Sequence, residues 1–345
     1  MKGAVLGLAF VLLGDIARVE ASNFTCVDRA RSLLAKQGVL PPGWRSMTSP
    51  PGVYSVCASE LRTDKLGTES GYDVRVPPSS IRRGSPFDGE HPRDTDQYAQ
   101  TGTDVYVSIR AYKFQDIDIT QGTMQLKTWL RMWWSDPRLA WDPAEYGGLD
   151  KTFYVASVNS NLETEEIWSP DIELYNSKTT IAESFDASLA EVDDKGNVYW
   201  VRQGSLQVLC KFSDVVNFPD DKPLCHFEMG GWMYSEQFQG IYLKEPDELD
   251  ADDGFFFDNQ EVTSQPSYAQ FRISPENGTS ATLVNYSYGS NWQYPVILAT
   301  VRVERVNTTS WELLITFPTI FLACLSILVC FVKMSASERL SFGSA

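Results

Sequence analysis

The stretch that decides the fold lies between residues 210 and 225, which read Cys-Lys-Phe-Ser-Asp-Val-Val-Asn-Phe-Pro-Asp-Asp-Lys-Pro-Leu-Cys. Two cysteines enclose fourteen residues, and the ring of Pro219 presets a rigid turn directly after Phe218. Apolar residues alternate with polar ones just before this stretch, at Val198, Trp200, Leu206 and Val208. This alternation predicts a strand that leads into the stretch.

The same alternation recurs along the chain and is interrupted by turn signals such as Asp194-Lys195-Gly196-Asn197. It is found at Val105, Val107 and Ile109, at Met124 and Leu126, and at Ile297, Ala299, Val301 and Val303. Many short strands without helical periods between them predict a mainly β fold. We therefore expect an immunoglobulin-like antiparallel β-sandwich over residues 104–309.

Both ends of the chain carry apolar segments. Residues 1–21 have the layout of a secretory signal peptide, with cleavage near Ala21. The run from Leu313 to Val332 carries no charge and is long enough to cross a bilayer, which predicts a transmembrane helix at residues 310–333. A buried core helix is the alternative reading of this run. The first reading predicts a plasma-membrane protein with the sandwich outside the cell and residues 334–345 inside it.

Residues 22–103 are expected to be an extension of the sandwich. A short amphipathic helix is predicted at 23–37, followed by an irregular linker rich in Pro, Gly, Ser, Arg and Asp. Four glycosylation acceptors agree with an extracellular location: Asn23, Asn277, Asn285 and Asn307.

Composition excludes several classes of function. The net charge of −16 argues against a nucleic-acid partner. Two histidines in the whole chain and no CxxC spacing leave little for a metal site or a Ser-His-Asp triad, so we expect no metal, no cofactor and no enzyme. Four cysteines outside the apolar run suggest two disulfides: Cys26, Cys57, Cys210 and Cys225.

The stretch from Cys210 to Cys225 resembles the signature loop of the Cys-loop receptors, the pentameric ligand-gated ion channels, in a form like that of the nicotinic acetylcholine receptors. The resemblance implies a disulfide between its two cysteines, worth about 3 kcal/mol in the chain-entropy model. It also implies a role in gating for Cys210, Phe218, Pro219, Asp221 and Cys225. The loop is one residue longer than is usual in the family, which implies a bulge before Asn217.

Three more segments resemble that family in order and spacing. Residues 168–176 read Trp-Ser-Pro-Asp-Ile-Glu-Leu-Tyr-Asn. Residues 129–136 read Trp-Leu-Arg-Met-Trp-Trp-Ser-Asp and continue to Tyr146-Gly147-Gly148. Residues 225–232 read Cys-His-Phe-Glu-Met-Gly-Gly-Trp. The resemblance therefore runs from Asp104 to the end of the chain and implies a ligand-binding domain followed by the first transmembrane helix.

The resemblance also implies a binding site. Tyr175, Trp232 and Tyr294 match one face of the family's site, with Tyr286 or Tyr288 as a further member, and Trp129 matches the face that a neighbouring subunit contributes. A homo- or hetero-pentamer would then hold a small ligand between subunits. An aromatic box of this kind suits an amine, because ring faces attract cations. Trp134, Trp141 and Trp168 are expected in the core instead.

Ligand and ion selectivity are less defined. Acetylcholine-binding members carry adjacent cysteines near residues 286–294, and this chain has none there, so serotonin-like, amino-acid and proton ligands stay open. Glu338 falls where cation-selective members place a ring of carboxylates, which favours cations electrostatically.

Three interpretations of the whole chain remain open at this point. It is a truncated copy of a cation-channel subunit, a membrane-anchored ligand binder or dominant-negative partner that does not itself conduct, or an adhesion or carbohydrate-binding sandwich.

Overall fold

The computed structural model describes residues 25–36, 38, 53–78, 102–157, 165–212, 218, 220–244, 254–258, 264–275, 278–289, 292–306, 310 and 312–331. Several predicted features lie outside the described residues. They are the signal peptide, the intracellular residues 334–345, the bulge before Asn217, and the residues Pro219, Glu338, Asn23, Asn277 and Asn307.

Strands dominate the described part of the chain. They are β1 (Thr103–Asp118), β2 (Thr123–Ser135), β3 (Lys151–Ser157), β4 (Glu173–Leu174), β5 (Ser188–Asp193), β6 (Asn197–Leu209), β7 (Leu224–Gly230), β8 (Gln239–Leu243), β9 (Phe255–Phe257), β10 (Ser267–Tyr268), β11 (Phe271–Ile273), β12 (Thr279–Tyr288) and β13 (Trp292–Arg305). The α-helices are α1 (Cys26–Lys36), α2 (Val53–Leu66), α3 (Ile181–Ser184) and α4 (Phe317–Phe331).

Two sheets form the sandwich. The first has the order β3-β5-β6-β2-β1-β8, with β9 also beside β1, and the second has the order β10-β11-β13-β7-β4, with β12 also beside β13. Neighbouring strands are antiparallel except that β8 and β9 lie parallel to β1. The predicted mainly β sandwich is confirmed.

The core contains the side chains that the alternation singled out. Every apolar residue named above for the predicted strands is at most 2% exposed. Trp134, Trp141 and Trp168 are also buried, as expected for core residues. Because side chains alternate between the two faces of a strand, the same registers direct the remaining residues outward, where a site can form.

The extension contains more regular structure than the sequence predicted, and the expectation of an irregular linker is wrong for helix α2. Val53, Cys57 and Leu61 recur at every fourth position and are all buried, so they form one apolar face of this helix. A disulfide joins Cys57 to Cys26 of α1. The bond holds the two helices together as a pair.

Polar contacts attach the extension to the sandwich. The hydroxyl of Tyr146 donates to Asp64 at 2.8 Å, and Arg62 forms an ion pair with Glu166 at 2.7 Å. The hydroxyl of Tyr72 donates to Asp136 at 2.9 Å and accepts a hydrogen bond from the backbone of Trp168 at 2.9 Å. The extension is therefore bonded to the segment between β2 and β3 and to the loop before β4.

The segment predicted to cross a membrane begins with a π-helical turn, Glu312–Thr316, that leads into α4. Among the residues that the structure describes, no helix combines the length and the apolar character needed to cross a membrane.

We expect Gly196→Ala to destabilise the protein more than Gly148→Ala, although the two glycines have nearly equal left-handed φ angles of +83° and +82°. A Cβ at residue 196 would lie 2.4 Å from the carbonyl oxygen of Asp136, whereas a Cβ at residue 148 would meet nothing within 4 Å. Gly148→Ala therefore serves as the control and should lose about 1–2 kcal/mol of unfolding free energy from backbone strain alone. Denaturant unfolding measures both, and equal losses would contradict the expectation.

Candidate functional site

An aromatic cavity of about 650 Å³ opens on the second sheet. Its wall includes five of the six predicted ligand-binding residues, namely Tyr175, Trp232, Tyr286, Tyr288 and Tyr294. Several of the rings touch. Tyr175 lies edge-on to Trp232 with centroids 6.1 Å apart, and Tyr288 lies edge-on to Tyr294 at 5.6 Å. The remaining wall consists of Glu228, Gly231, Met233, Phe238 and Trp292.

Tyr175 is held by the strand beside it. Its backbone N–H donates to the carbonyl of Glu228 in β7 at 2.8 Å, and its hydroxyl donates to the carbonyl of Gly231 at 2.6 Å. The side chain of Asn176 donates to the carbonyl of His226 at 2.7 Å and accepts from the backbone N–H of Glu228 at 3.1 Å. The Tyr-Asn pair at the end of the 168–176 motif therefore fixes one aromatic ring against β7.

Trp232 is held in a different way, by a carboxylate beneath its loop. Oδ2 of Asp171 accepts hydrogen bonds from three successive backbone N–H groups, those of Trp232 at 3.0 Å, Met233 at 2.6 Å and Tyr234 at 3.1 Å. The side-chain amide of Gln239 braces Asp171 by pairing with both its N–H and its carbonyl. Because Trp232 is 64% exposed, these bonds rather than core packing hold its backbone in place.

One carboxylate faces the rings. The hydroxyl of Tyr286 donates to Oε2 of Glu228 at 3.2 Å. Burial, and then the charge of Glu228, raise the pKa of Tyr286. Burial, followed by the influence of Tyr288 and Asp171, raises the pKa of Tyr175 to about 12. Both phenols therefore stay protonated at neutral pH and can donate hydrogen bonds.

Trp129, the sixth predicted residue, lies apart from the cavity, in β2 of the first sheet. The guanidinium of Arg110 stacks over the ring of Trp129, 4.8 Å from its centroid. The ring centroids of Tyr112 and Trp129 are 5.5 Å apart. Arg110 is itself paired with Asp258 at 2.6 Å. Within one chain, therefore, Trp129 does not contribute to the wall around Trp232.

The loop from Cys210 to Cys225 forms a second group of predicted residues. A disulfide joins the two cysteines. Asp221 is fully buried and makes two hydrogen bonds to Arg305, from Nε at 2.5 Å and from a terminal nitrogen at 3.0 Å. The ring of Phe218 lies 4.9 Å from the same guanidinium. The loop is thus bonded to the end of β13, the strand that precedes the C-terminal helical segment.

The start of this loop also contacts the turn between β1 and β2. The backbone N–H of Cys210 donates to the carbonyl of Gly122 at 2.7 Å. Asp118 caps the same turn, because its Oδ1 accepts from Thr120 at 2.8 Å and from Gln121 at 2.9 Å. Two turns that are far apart in sequence are therefore joined at one end of the sandwich.

Sequence reasoning missed four side chains of the cavity wall: Glu228, Met233, Phe238 and Trp292. Glu228 could have been placed on the outward face of β7, because its neighbours Phe227 and Met229 are buried and side chains alternate. Of the four predicted glycosylation acceptors, Asn285 lies within the described residues and is exposed on β12.

Comparison with known domain families identifies this architecture. The family described as the neurotransmitter-gated ion-channel ligand binding domain matches residues 90–307. The chain belongs to this family. The matched range includes all the residues of the cavity wall and the loop from Cys210 to Cys225, and it leaves helices α1 and α2 outside.

Relatives of this neurotransmitter-gated channel domain are acetylcholine receptor subunits. The neuronal acetylcholine receptor subunit beta-3 of Rattus norvegicus is 26% identical over 241 residues, which are 70% of this chain and 46% of the relative. The alpha-type subunit unc-38 of Caenorhabditis elegans is 30% identical over 142 residues, 41% of this chain and 26% of the relative. The beta-type subunit acr-2 of the same species is 26% identical over 226 residues, 66% of this chain and 35% of the relative. The chain therefore spans less than half the length of each of these three relatives.

Asp171→Ala should speed amide hydrogen exchange at residues 232–234 by about tenfold or more, because three N–H groups lose a charged acceptor. The matched control is Asp118→Ala, which removes a carboxylate that caps a turn far from the cavity. It should speed amide hydrogen exchange at residues 120 and 121 and leave exchange at residues 232–234 unchanged. Exchange measured by mass spectrometry decides between these outcomes, and unaltered exchange at 232–234 in Asp171→Ala would contradict the assigned role.

Asp221→Asn should lower the free energy of unfolding by about 3–5 kcal/mol, because it leaves the buried guanidinium of Arg305 without its counter-charge. Replacing both residues together, as Asp221→Leu with Arg305→Met, should cost less than Asp221→Asn alone, since no unpaired charge remains. Denaturant unfolding of the two variants provides the test. A double variant that is less stable than the single one would show that the ion pair itself stabilises this loop.

Proposed function

We propose that this chain is a subunit of a neurotransmitter-gated ion channel whose aromatic cavity receives a small organic cation. The observation that carries the proposal is the cavity itself, in which five predicted aromatic residues line one wall of a domain that belongs to this family. The negative ring faces attract a cation that has left water, and each favourable ring contributes up to about 2 kcal/mol.

Trp129 supports a site shared between subunits. It is the predicted member that lies outside the cavity of its own chain, on the other sheet, and it is partly exposed. In the proposed assembly, a homo- or hetero-pentamer, Trp129 of one copy approaches the cavity of the next and closes it. A chain that carries both faces can assemble with copies of itself.

The contacts of the 210–225 loop support a route from the cavity to the pore. Glu228 lies in β7, and Trp232 follows shortly after the end of that strand. The same strand contains Cys225, the second cysteine of the disulfide that closes the loop. The loop in turn is bonded to Gly122 and, through Asp221, to Arg305. We propose that closure around the ligand shifts these contacts against a membrane segment at residues 310–333.

The remaining features of the proposal concern location and selectivity. The domain is exported by the signal peptide at 1–21, is glycosylated at Asn23, Asn277, Asn285 and Asn307, and faces the outside of the plasma membrane. Glu338 contributes to a ring of carboxylates that selects cations. These features rest on the sequence patterns and on the resemblance to channel subunits.

The first test measures binding of small ammonium compounds to the full chain by calorimetry. Trp232→Ala should weaken binding about thirtyfold, the equivalent of about 2 kcal/mol. The control is Tyr54→Ala on helix α2, which removes an aromatic of comparable exposure, 52% against 64%, outside the cavity. Unaltered affinity in Trp232→Ala would contradict the assignment of the cavity.

Mixing two defective variants tests whether the site is shared. Trp129→Ala and Trp232→Ala chains should each bind poorly when assembled alone. Co-assembled in equal amounts, they should regain about one quarter of the wild-type sites, because random neighbours then place an intact Trp129 against an intact Trp232 at about one interface in four. If both residues served a site within one chain, mixing would restore none.

A further inference from the structure

The wall of the aromatic cavity carries one acidic side chain and, among its described residues, no basic one. The acid is Glu228, in the middle of β7 on the face opposite the buried Phe227 and Met229. Its position is set by the sheet, because β7 pairs with β13 so that Glu228 lies opposite Leu298. The carboxylate is therefore a fixed part of the wall and does not belong to a loop.

The two oxygens of this carboxylate differ in their surroundings. Oε2 accepts the hydrogen bond from the hydroxyl of Tyr286, whereas Oε1 accepts none from any residue that the structure describes. The hydroxyl of Tyr175, whose ring centroid lies 6.3 Å from that of Tyr286, donates instead to the carbonyl of Gly231. One carboxylate oxygen of the cavity wall thus keeps its capacity to accept a hydrogen bond from a ligand.

We propose that Glu228 makes this site selective for ammonium ligands that bear N–H groups, that is, protonated primary, secondary and tertiary amines, over quaternary ones. The inference rests on the proposed function, since it assumes that a cation occupies the cavity. A ligand that fills the cavity strips water from Oε1. An N–H group replaces that water with a charge-assisted hydrogen bond, while a trimethylammonium group covers the oxygen with methyl groups and leaves it unpaired.

Such a site rejects the wrong ligand more strongly than an aromatic box does. Ring faces attract a quaternary and a protonated amine alike, so rings alone discriminate weakly. An unpaired buried acceptor discriminates sharply, as in sites that hydrogen-bond one substrate and exclude its analogue. A hydrogen bond that involves a charged group corresponds to about a tenfold to hundredfold preference.

The test uses one series of ligands, 2-phenylethylamine and its N-methyl, N,N-dimethyl and N,N,N-trimethyl derivatives, which present three, two, one and no N–H groups. Calorimetric binding to the full chain should show the trimethyl compound at least tenfold weaker than the primary amine, because it is the member of the series that presents no N–H group to Oε1. Equal or tighter binding of the trimethyl compound would overturn the inference while leaving the proposed function intact. Binding of none of the four compounds would overturn both.

Variants assign the preference to its residue. Glu228→Gln keeps the shape and an acceptor oxygen but removes the charge, so the preference for the primary amine should shrink to about threefold or less. Glu236→Gln is the matched control, because it removes the same charge from the neighbouring loop without belonging to the cavity wall. It should shift all four affinities by one common factor and leave the preference intact.

A third variant separates the carboxylate from its partner. Tyr286→Phe removes the hydroxyl that binds Oε2 and retains the charge of Glu228, so the preference should persist even if the overall affinity falls. If Glu228→Gln weakened all four ligands equally, the carboxylate would act as a general counter-charge only, and the inference would be overturned.

Discussion

The site depends on one carboxylate that accepts hydrogen bonds from three successive backbone N–H groups. Asp171 lies in the loop before β4, and the groups that it binds belong to the loop after β7, so a single side chain joins two segments about sixty residues apart. An exposed indole such as Trp232 cannot be positioned by burial. The charge-assisted bonds beneath it supply the missing constraint, and the ring of Tyr175 then has a fixed neighbour.

Much of the fold follows from alternation, and the reason is physical. A sandwich buries one face of each strand, so buried residues such as Val105, Val208 and Val301 recur at every second position, and this spacing identifies the strands in the sequence. Alternation does not show which strands are neighbours. The contact between Tyr286 and Glu228 joins β12 to β7 across the intervening β13, and that order is set by the topology of the whole sheet. The carboxylate in the cavity could be placed on a face from the sequence, but its partner could not.

In the N-terminal extension, the sequence contained a helical pattern, but the amino-acid composition led to the prediction of an irregular linker. Val53, Cys57 and Leu61 have helical spacing, yet the surrounding Pro, Gly and Ser residues favoured an irregular linker. The disulfide from Cys57 to Cys26 explains how a short helix persists there, since it limits the freedom of the unfolded chain and pairs the helix with α1. Isolated helices of this length are only marginally stable in water, and packing against the rest of the protein provides the additional stability.

The charged groups on the two proposed faces of the site can be compared with what a cationic ligand requires. Trp129 carries the guanidinium of Arg110 on its ring, and a positive group there would oppose a cationic ligand. Asp258, whose side chain is 7% exposed, accepts two hydrogen bonds from Arg110, at 2.6 Å and 3.2 Å, and offsets that charge locally. Within the part of the chain that the structure describes, Glu228 has no such basic partner. In the proposed assembly, the paired charges of Arg110 and Asp258 would offset each other, and Glu228 would present a negative charge to a cationic ligand in the cavity.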